Sequence, residues 1–131
     1  MEIAVARAGI EPDQIDTINA HGTSTPLGDK RESEAIWSVF GAHTPQINVT
    51  STKSMSGHMM SAGGAFEAIA TALTLHTGHV PGTINYLEPD PECDLNIAAE
   101  TRSTSPRYGL SNSVGLGGRN SAIVLKQFDG A

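Results

Sequence analysis

Residues 59–77 of this 131-residue chain have the sequence MMSAGGAFEAIATALTLHT, which predicts a long helix that ends at Gly78. Its only charged residue is Glu67, and small or apolar residues occupy every face. A helix that is apolar all round is buried between two layers or lies in a membrane. The segment contains two glycines and several hydroxyl side chains and lacks an apolar run of about 20 residues, so we predict burial in a protein core.

The other segments supply too little material to bury this helix. The predicted helices are residues 1–8, 26–40 and 59–77. The predicted strands are residues 15–20, 47–49, 95–98, 108–113 and 121–126. This alternation predicts an α/β fold, with a mixed, mostly parallel sheet, a buried central helix, helices on its faces and an antiparallel pair at its end. One sheet cannot cover both sides of the central helix, so we expect a further layer from another polypeptide segment.

The composition excludes several classes of function. The net charge is −6 and the 8 Lys and Arg residues do not cluster, which argues against binding of nucleic-acid phosphates. One cysteine, Cys93, excludes a disulfide scaffold and a cysteine-based zinc site, and its acidic neighbours favour an inert thiol. We predict no metal site. Without a basic and apolar leader, we expect a soluble, cytoplasmic protein with no membrane contact.

Three loops that follow predicted strands contain the residues with useful chemistry. These loops contain His21, His58 and the glycine-rich residues 114–118. The carboxyl ends of parallel strands share one edge of a sheet, where ligands bind in open α/β folds. His21 and His58 are therefore candidates for acid–base or hydrogen-bonding work, although each could equally be a structural histidine. We place His58 at the start of the central helix, where the helix dipole favours a neutral imidazole. The charged residues 29–34 are expected to face solvent.

Three longer motifs resemble those of the 3-oxoacyl-acyl-carrier-protein synthases, the elongating condensing enzymes of the thiolase superfamily. The motifs are NAHGTSTPLGD at residues 19–29, KSMSGH at 53–58 with AGG at 62–64, and NSVGLGG at 112–118. The resemblance implies the thiolase fold, in which two α/β halves pack through a layer of buried central helices. It further implies that residues 1–131 are the C-terminal ketoacyl-synthase domain, with residues 59–77 as one of those helices.

The resemblance also implies roles for individual residues. His21 and His58 are implied to be the catalytic donors that hold a thioester oxygen as it becomes an enolate, and Lys53 to orient the site electrostatically. Thr23 and Thr25 are implied to bind the pantetheine arm of the substrate. Because that arm arrives on an acyl carrier protein, no resident organic cofactor is expected.

The glycine-rich loop and a polar network complete the implied site. Val114, Gly115 and Leu116 are implied to bind substrate, although the family usually has phenylalanine at positions 114 and 116, which leaves the gating of the acyl channel open. A structural ion network, able to hold a monovalent cation, is implied for four residues. These are Asn19, Glu67, Asn112 and Ser113.

These motifs predict part of an elongating ketosynthase of fatty acid or polyketide synthesis that is inactive alone. The family's nucleophilic cysteine belongs to the N-terminal half, and Cys93 does not occupy its place. The expected partners are that N-terminal half, an acyl carrier protein and a second copy in a homodimer. Two alternatives are a non-catalytic subunit resembling a chain-length factor and a self-sufficient acyl-binding domain. The presence of His21, Lys53 and His58 argues against a non-catalytic subunit.

Overall fold

A computed structural model describes residues 1–128 and residue 130. The helices are α1 (Glu2–Ala8), α2 (Pro26–Phe40), α3 (Lys53–Ser56) and α4 (Gly63–Thr77). The strands are β1 (Thr17–Asn19), β2 (Asn48–Thr50), β3 (His79–Val80), β4 (Arg102–Ser103), β5 (Tyr108–Gly115) and β6 (Arg119–Lys126). Short 3-10 turns occupy Pro12–Gln14, Gly41–Gln46, Met60–Ala62 and Leu116–Gly118.

The main sheet has the strand order β2-β1-β5-β6. β1 pairs in parallel with β2 and with β5, whereas β6 is antiparallel to β5. The prediction of a mostly parallel sheet that ends in an antiparallel pair is therefore confirmed. This arrangement brings the carboxyl ends of β1, β2 and β5 to one edge. β3 and β4 form a separate two-stranded ribbon.

The apolar core lies where α1 and α2 pack on the main sheet. Val5 of α1 and Ile36 and Phe40 of α2 belong to one buried cluster with Ile18 of β1 and Leu110 of β5. Ile36 and Phe40 are four positions apart and share a helix face, so burial of that face stabilises α2 against the sheet. The predicted helices over residues 1–8 and 26–40 are present within one residue of their expected bounds.

α4 packs against β5, and a glycine permits its close approach. A Cβ atom on Gly109 would lie only 2.7 Å from Cγ2 of Thr71 on α4 and 3.2 Å from Cγ2 of Thr17 on β1. Any larger residue at position 109 would push the helix away from the sheet. The buried face of α4 is mainly polar and includes Glu67, Thr71 and Thr74.

The opposite face of α4 is apolar and open. Phe66, Ile69 and Leu73 are 40%, 62% and 55% exposed. The accessible surface of the chain is 7730 Å², against ~6,600 Å² expected for a folded monomer of this mass. The described residues cover only one side of the central helix, which agrees with the expectation of a further layer. Across the described residues, none of the helices is both long and apolar enough to cross a membrane.

Three local predictions are wrong. The central helix begins at Gly63 rather than at residue 59, because Met60 has a φ of 49° in a tight turn. His58 therefore does not begin that helix, and the dipole argument for it does not apply. The strand predicted over residues 95–98 is reduced to a single parallel bridge between Ile97 and Val49 of β2, with Val49 N–H donating to Asn96 O at 3.1 Å and Ala98 N–H donating to Val49 O at 2.8 Å. A tight turn, in which Ile97 N–H donates to Leu95 O at 2.8 Å, keeps the pairing from extending. Residues 53–56, expected as loop, form α3.

Candidate active site

The two histidines lie together at the carboxyl edge of the sheet. His21 comes two residues after β1, and His58 comes two residues after α3, the helix that follows β2. Their ring centroids are 5.4 Å apart and the rings meet edge to face. The parallel pairing of β1 and β2 thus produces the juxtaposition that the sequence predicted, while the roles of both residues stay predictions.

The orientation of the His58 ring is fixed by a hydrogen bond. The backbone N–H of Met60 donates to Nδ1 of His58 at 3.2 Å. A nitrogen that accepts a hydrogen bond carries no proton, so the neutral imidazole of His58 has its proton on Nε2. Met60 adopts a left-handed backbone conformation, with a φ of 49°. This conformation is costly for a residue with a side chain, and the hydrogen bond to His58 offsets part of the cost.

A buried carboxylate holds the backbone beside His21. Oε1 of Glu32 accepts hydrogen bonds from His21 N at 2.7 Å and Asn112 Nδ2 at 2.7 Å, and Oε2 accepts one from Gly22 N at 2.8 Å. Glu32 is only 8% exposed, so the expectation that residues 29–34 all face solvent is wrong for it. The missed signal was its position four residues before Ile36, on the helix face that points to the core.

The environment of His21 favours its neutral form. Burial of the ring lowers the pKa of His21 from its usual value, the Lys53 ammonium lowers it further, and Glu32 opposes the shift. Nδ1 of His21 is buried and has no hydrogen-bond partner among the described residues. The site therefore places a His21 ring that favours its neutral form next to the His58 ring and near the Lys53 ammonium.

We expect His21 to titrate below 6.5, the ordinary value for a histidine, when followed by NMR of the ring. Lys53→Gln removes one of the charges that lower the pKa, so the midpoint should move upward. Arg31→Gln is the matched control, because Arg31 lies on the surface of α2 in an exposed pair with Glu34, and it should leave the midpoint unchanged. A wild-type midpoint at or above 6.5 contradicts the prediction.

The shift of His21 also links pH to stability. Its pKa is lower in the folded chain than in the unfolded chain, so the unfolded chain binds the extra proton first as the pH falls. The contribution of His21 to stability is complete above its unfolded pKa and is lost as the pH falls through its folded pKa.

A buried ion pair joins α3 to α4. Nζ of Lys53 contacts Oε1 of Glu67, and the two residues are 9% and 1% exposed. Ser113 Oγ lies 3.4 Å from Oε2 of Glu67, and Asn19 Nδ2 donates to the backbone oxygen of Glu67 at 3.3 Å. Asn112 instead donates to Glu32. Of the three residues expected to join Glu67 in the network, Asn19 and Ser113 thus contact it, whereas Asn112 belongs to the Glu32 cluster.

These residues offer little to a monovalent cation. The ammonium of Lys53 already supplies a positive charge to Glu67, and the described residues contain no group of three acidic, histidine or cysteine side chains fit for a metal. The oxygen left without a partner in this network is Oδ1 of Asn112. A single neutral oxygen is a weak site for an ion, so no step proposed below uses one.

A cavity of about 920 Å³ lies in front of this cluster. Lys53, His58, Thr23 and Thr25 are among its lining residues. His21 is not one of them, although its sequence neighbours Ala20 and Gly22 are. Oγ1 of Thr23 and Oγ1 of Thr25 are 3.3 Å apart and lie at the exposed end of the loop after β1. The cavity has the size and mixed lining of a small-molecule site.

The glycine-rich loop stands apart from this cavity. Val114, Gly115 and Leu116 are not among its lining residues, and they lie where β5 turns into β6. Leu116 is 99% exposed and Val114 is 46% exposed. The expected contact of these three residues with substrate stays a prediction.

Cys93 does line the cavity but lacks the character of a nucleophile. Burial raises the pKa of its thiol, and the nearby Asp90 carboxylate raises it further. Because the thiolate is the reactive form, such a cysteine is poorly suited to attack a thioester. The chemistry available in the site is that of His58 Nε2–H, the neutral His21 and the charged Lys53, which together suit an oxygen that gains negative charge.

Comparison with known proteins places this geometry in context. Residues 1–87 match the family described as "Beta-ketoacyl synthase, C-terminal domain". The chain is 46% identical over 130 residues to 3-oxoacyl-[acyl-carrier-protein] synthase 2 of Staphylococcus aureus (strain COL). The aligned region covers 98% of this chain and 31% of that protein. The chain thus spans less than a third of the length of this curated relative.

Two solved structures are similar over almost the whole chain. One is the AntDE:AntF assembly, described as a type II PKS acyl-carrier protein in complex with its ketosynthase, with a TM-score of 0.94 and 38% identity over 97% of this chain and 31% of that one. The other is the ishigamide ketosynthase/chain length factor, with a TM-score of 0.92 and 38% identity over 96% of this chain and 31% of that one.

Proposed function

The chain belongs to the beta-ketoacyl synthase family and has its thiolase-like α/β fold, and we propose that it supplies the histidine and lysine groups for a decarboxylative Claisen condensation. The substrates are an acyl thioester and a malonyl-acyl-carrier protein, in fatty acid or polyketide synthesis. The observation that carries the proposal is the meeting of His21 and His58, whose ring centroids are 5.4 Å apart, where His58 and Lys53 line the cavity.

In the proposed reaction the acyl group waits as a thioester on a cysteine of the N-terminal half. The bond between the malonyl methylene carbon and its carboxylate breaks, CO₂ leaves, and the electron pair forms an enolate on the thioester. Nε2–H of His58, together with the His21 ring, stabilises the enolate oxygen. The enolate carbon then attacks the acyl carbonyl, a carbon–carbon bond forms, and the cysteine leaves as a thiolate.

The proposed partners are the N-terminal half, an acyl carrier protein and a second copy of the complete enzyme. The relative length supports the first, because a synthase of the family is about three times as long as this chain. The open face of α4, with Phe66, Ile69 and Leu73, fits a second layer. The carrier would present its pantetheine arm to the cavity along Thr23 and Thr25, and the AntDE:AntF assembly holds a carrier on its own ketosynthase.

Mass spectrometry and a condensation assay test whether the N-terminal half supplies the cysteine and this chain supplies the histidines and the lysine. The chain alone, incubated with an acyl thioester, should gain no acyl group and should form no condensation product. With the N-terminal half supplied, an acyl group should appear on a cysteine of that half, and product should form. Cys93→Ser should behave as the wild type. An acyl adduct on Cys93 contradicts the proposal.

A second candidate is a non-catalytic subunit that shapes the acyl channel of a partner. The similarity to the ishigamide ketosynthase/chain length factor favours it, as do the aliphatic residues Val114 and Leu116 at positions that usually hold phenylalanine. A full-length protein with no active-site cysteine would support this candidate. A self-sufficient acyl-binding domain fits less well, because it would leave the apolar face of α4 in water.

A further inference from the structure

One whole side of the cavity is formed by residues 84–94, a segment that we call the strap. Its residues on the cavity wall include Tyr86, Leu87 and Cys93. The opposite side comes from the loops after β1 and β2, with Thr23, Thr25 and His58. Anything that fills the cavity from the Thr23 end to His58 therefore lies between the strap and the catalytic loops.

The strap is anchored firmly where it begins. Just before it, Thr83 N donates to Ala98 O at 2.6 Å, and Thr83 Oγ1 accepts a hydrogen bond from Ser51 N at 3.1 Å. Ile84 N donates to Ser54 Oγ at 3.1 Å. These bonds fix the start of the strap to α3 and to the residues that lead into it.

The far end of the strap is held by two contacts with α2. Nζ of Lys30 forms an ion pair with Glu92, and Nε1 of Trp37 donates to the backbone oxygen of Asp94 at 2.8 Å. The strap has four carboxylates, at positions 88, 90, 92 and 94, and no lysine or arginine of its own. Lys30 is thus the cation that draws this acidic segment onto α2.

The middle of the strap is free. Residues 85–89 make no hydrogen bond to any other described part of the chain. Asn85 adopts a left-handed φ of 63°, and Leu87 is 89% exposed. A segment with firm ends, an unbonded middle and an apolar residue in water is built to change position while its anchors hold.

We propose that the strap is a lid that closes over the pantetheine arm of the substrate, with Lys30 and Glu92 as its latch. The proposal rests on the proposed function, since it takes the arm as the occupant of the cavity. Tyr86 and Leu87 then cover the arm from the outside while Thr23 and Thr25 contact it from the inside. The latch sets how often the cavity opens, so it controls entry and release of the arm without touching the reacting atoms.

Hydrogen–deuterium exchange on the full-length protein tests the latch. Glu92→Gln should speed exchange across residues 84–94 on the order of twofold to fivefold, the range for loss of one exposed ion pair. Glu34→Gln is the matched control, because it removes the Arg31–Glu34 pair, another ion pair of α2, which does not reach the strap. The exchanged pair, Lys30→Glu with Glu92→Lys, should restore the slow exchange. Equal exchange in Glu92→Gln and wild type overturns the latch.

The occupant is tested with the ethyl thioether of pantetheine, a stable form of the arm that cannot react. We expect this probe to slow exchange both in residues 21–25 and in the strap. Protection of residues 21–25 with an unchanged strap overturns the lid and leaves the proposed function standing. Protection of neither segment contradicts arm binding in this cavity, and the lid proposal fails with it.

Discussion

Lys53→Met is expected to lower the free energy of unfolding by about 3–5 kcal/mol, the cost of removing one member of a buried ion pair. Lys53 and Glu67 are 9% and 1% exposed, so the variant leaves a carboxylate in the core without its counter-charge. The weak contact of Ser113 Oγ at 3.4 Å cannot replace an ammonium. Urea unfolding followed by circular dichroism measures the loss.

The double variant Lys53→Met with Glu67→Leu separates charge from packing. Because it removes both charges, it should be more stable than Lys53→Met alone, although it has one more substitution. Arg31→Met, which breaks the exposed pair with Glu34, is the surface control and should unfold at the wild-type midpoint. A double variant less stable than the single variant would show that the pair acts through packing and not through charge.

His58→Ala is expected to reduce decarboxylation of the malonyl thioester about 100-fold to 1,000-fold, the usual effect of losing one donor to a developing oxyanion. The loss follows from the Nε2–H that the Met60 contact fixes on His58, because alanine offers no donor at that point. The rate of CO₂ release by the assembled enzyme is the measurement.

His79→Ala is the matched control, since His79 is exposed on β3 and does not line the cavity. It should release CO₂ at the wild-type rate. A wild-type rate in His58→Ala, with unfolding unchanged, would remove His58 from the proposed mechanism and leave His21 as the principal donor.

The parts of the fold that the sequence predicted are those set by local patterns. α2 has Pro26 at its start and its apolar residues Ile36 and Phe40 on one face, and β1 and β5 each place one apolar residue, Ile18 and Leu110, in the core. The start of α4 could not be located, because Met60 adopts a left-handed φ of 49° and its N–H donates to the side chain of His58, two residues earlier, instead of entering a helical pattern. Propensity rules favour helix for methionine and do not foresee such a local side-chain acceptor.

In the candidate site, too, some residues could be predicted from local sequence and others could not. His21, Lys53 and His58 were identified because they lie in long motifs. Both histidines also follow predicted parallel strands, so their meeting at one sheet edge could be predicted from the order of the strands. Glu32 was missed because it stands in a run of charged residues, and its partner Asn112 is 80 positions further along the chain. Only the parallel pairing of β1 with β5 brings the two side chains together.

The pairing of β1 with β5 also determines the order in which the chain can fold. Asp16, just before β1, accepts the backbone N–H of Tyr108, a residue 92 positions away. One edge of β1 therefore stays unpaired until β5 has been made, and closure of so long a loop slows folding. Until then the open edge of β1 and the apolar face of α4 are the two surfaces on which wrong contacts can form.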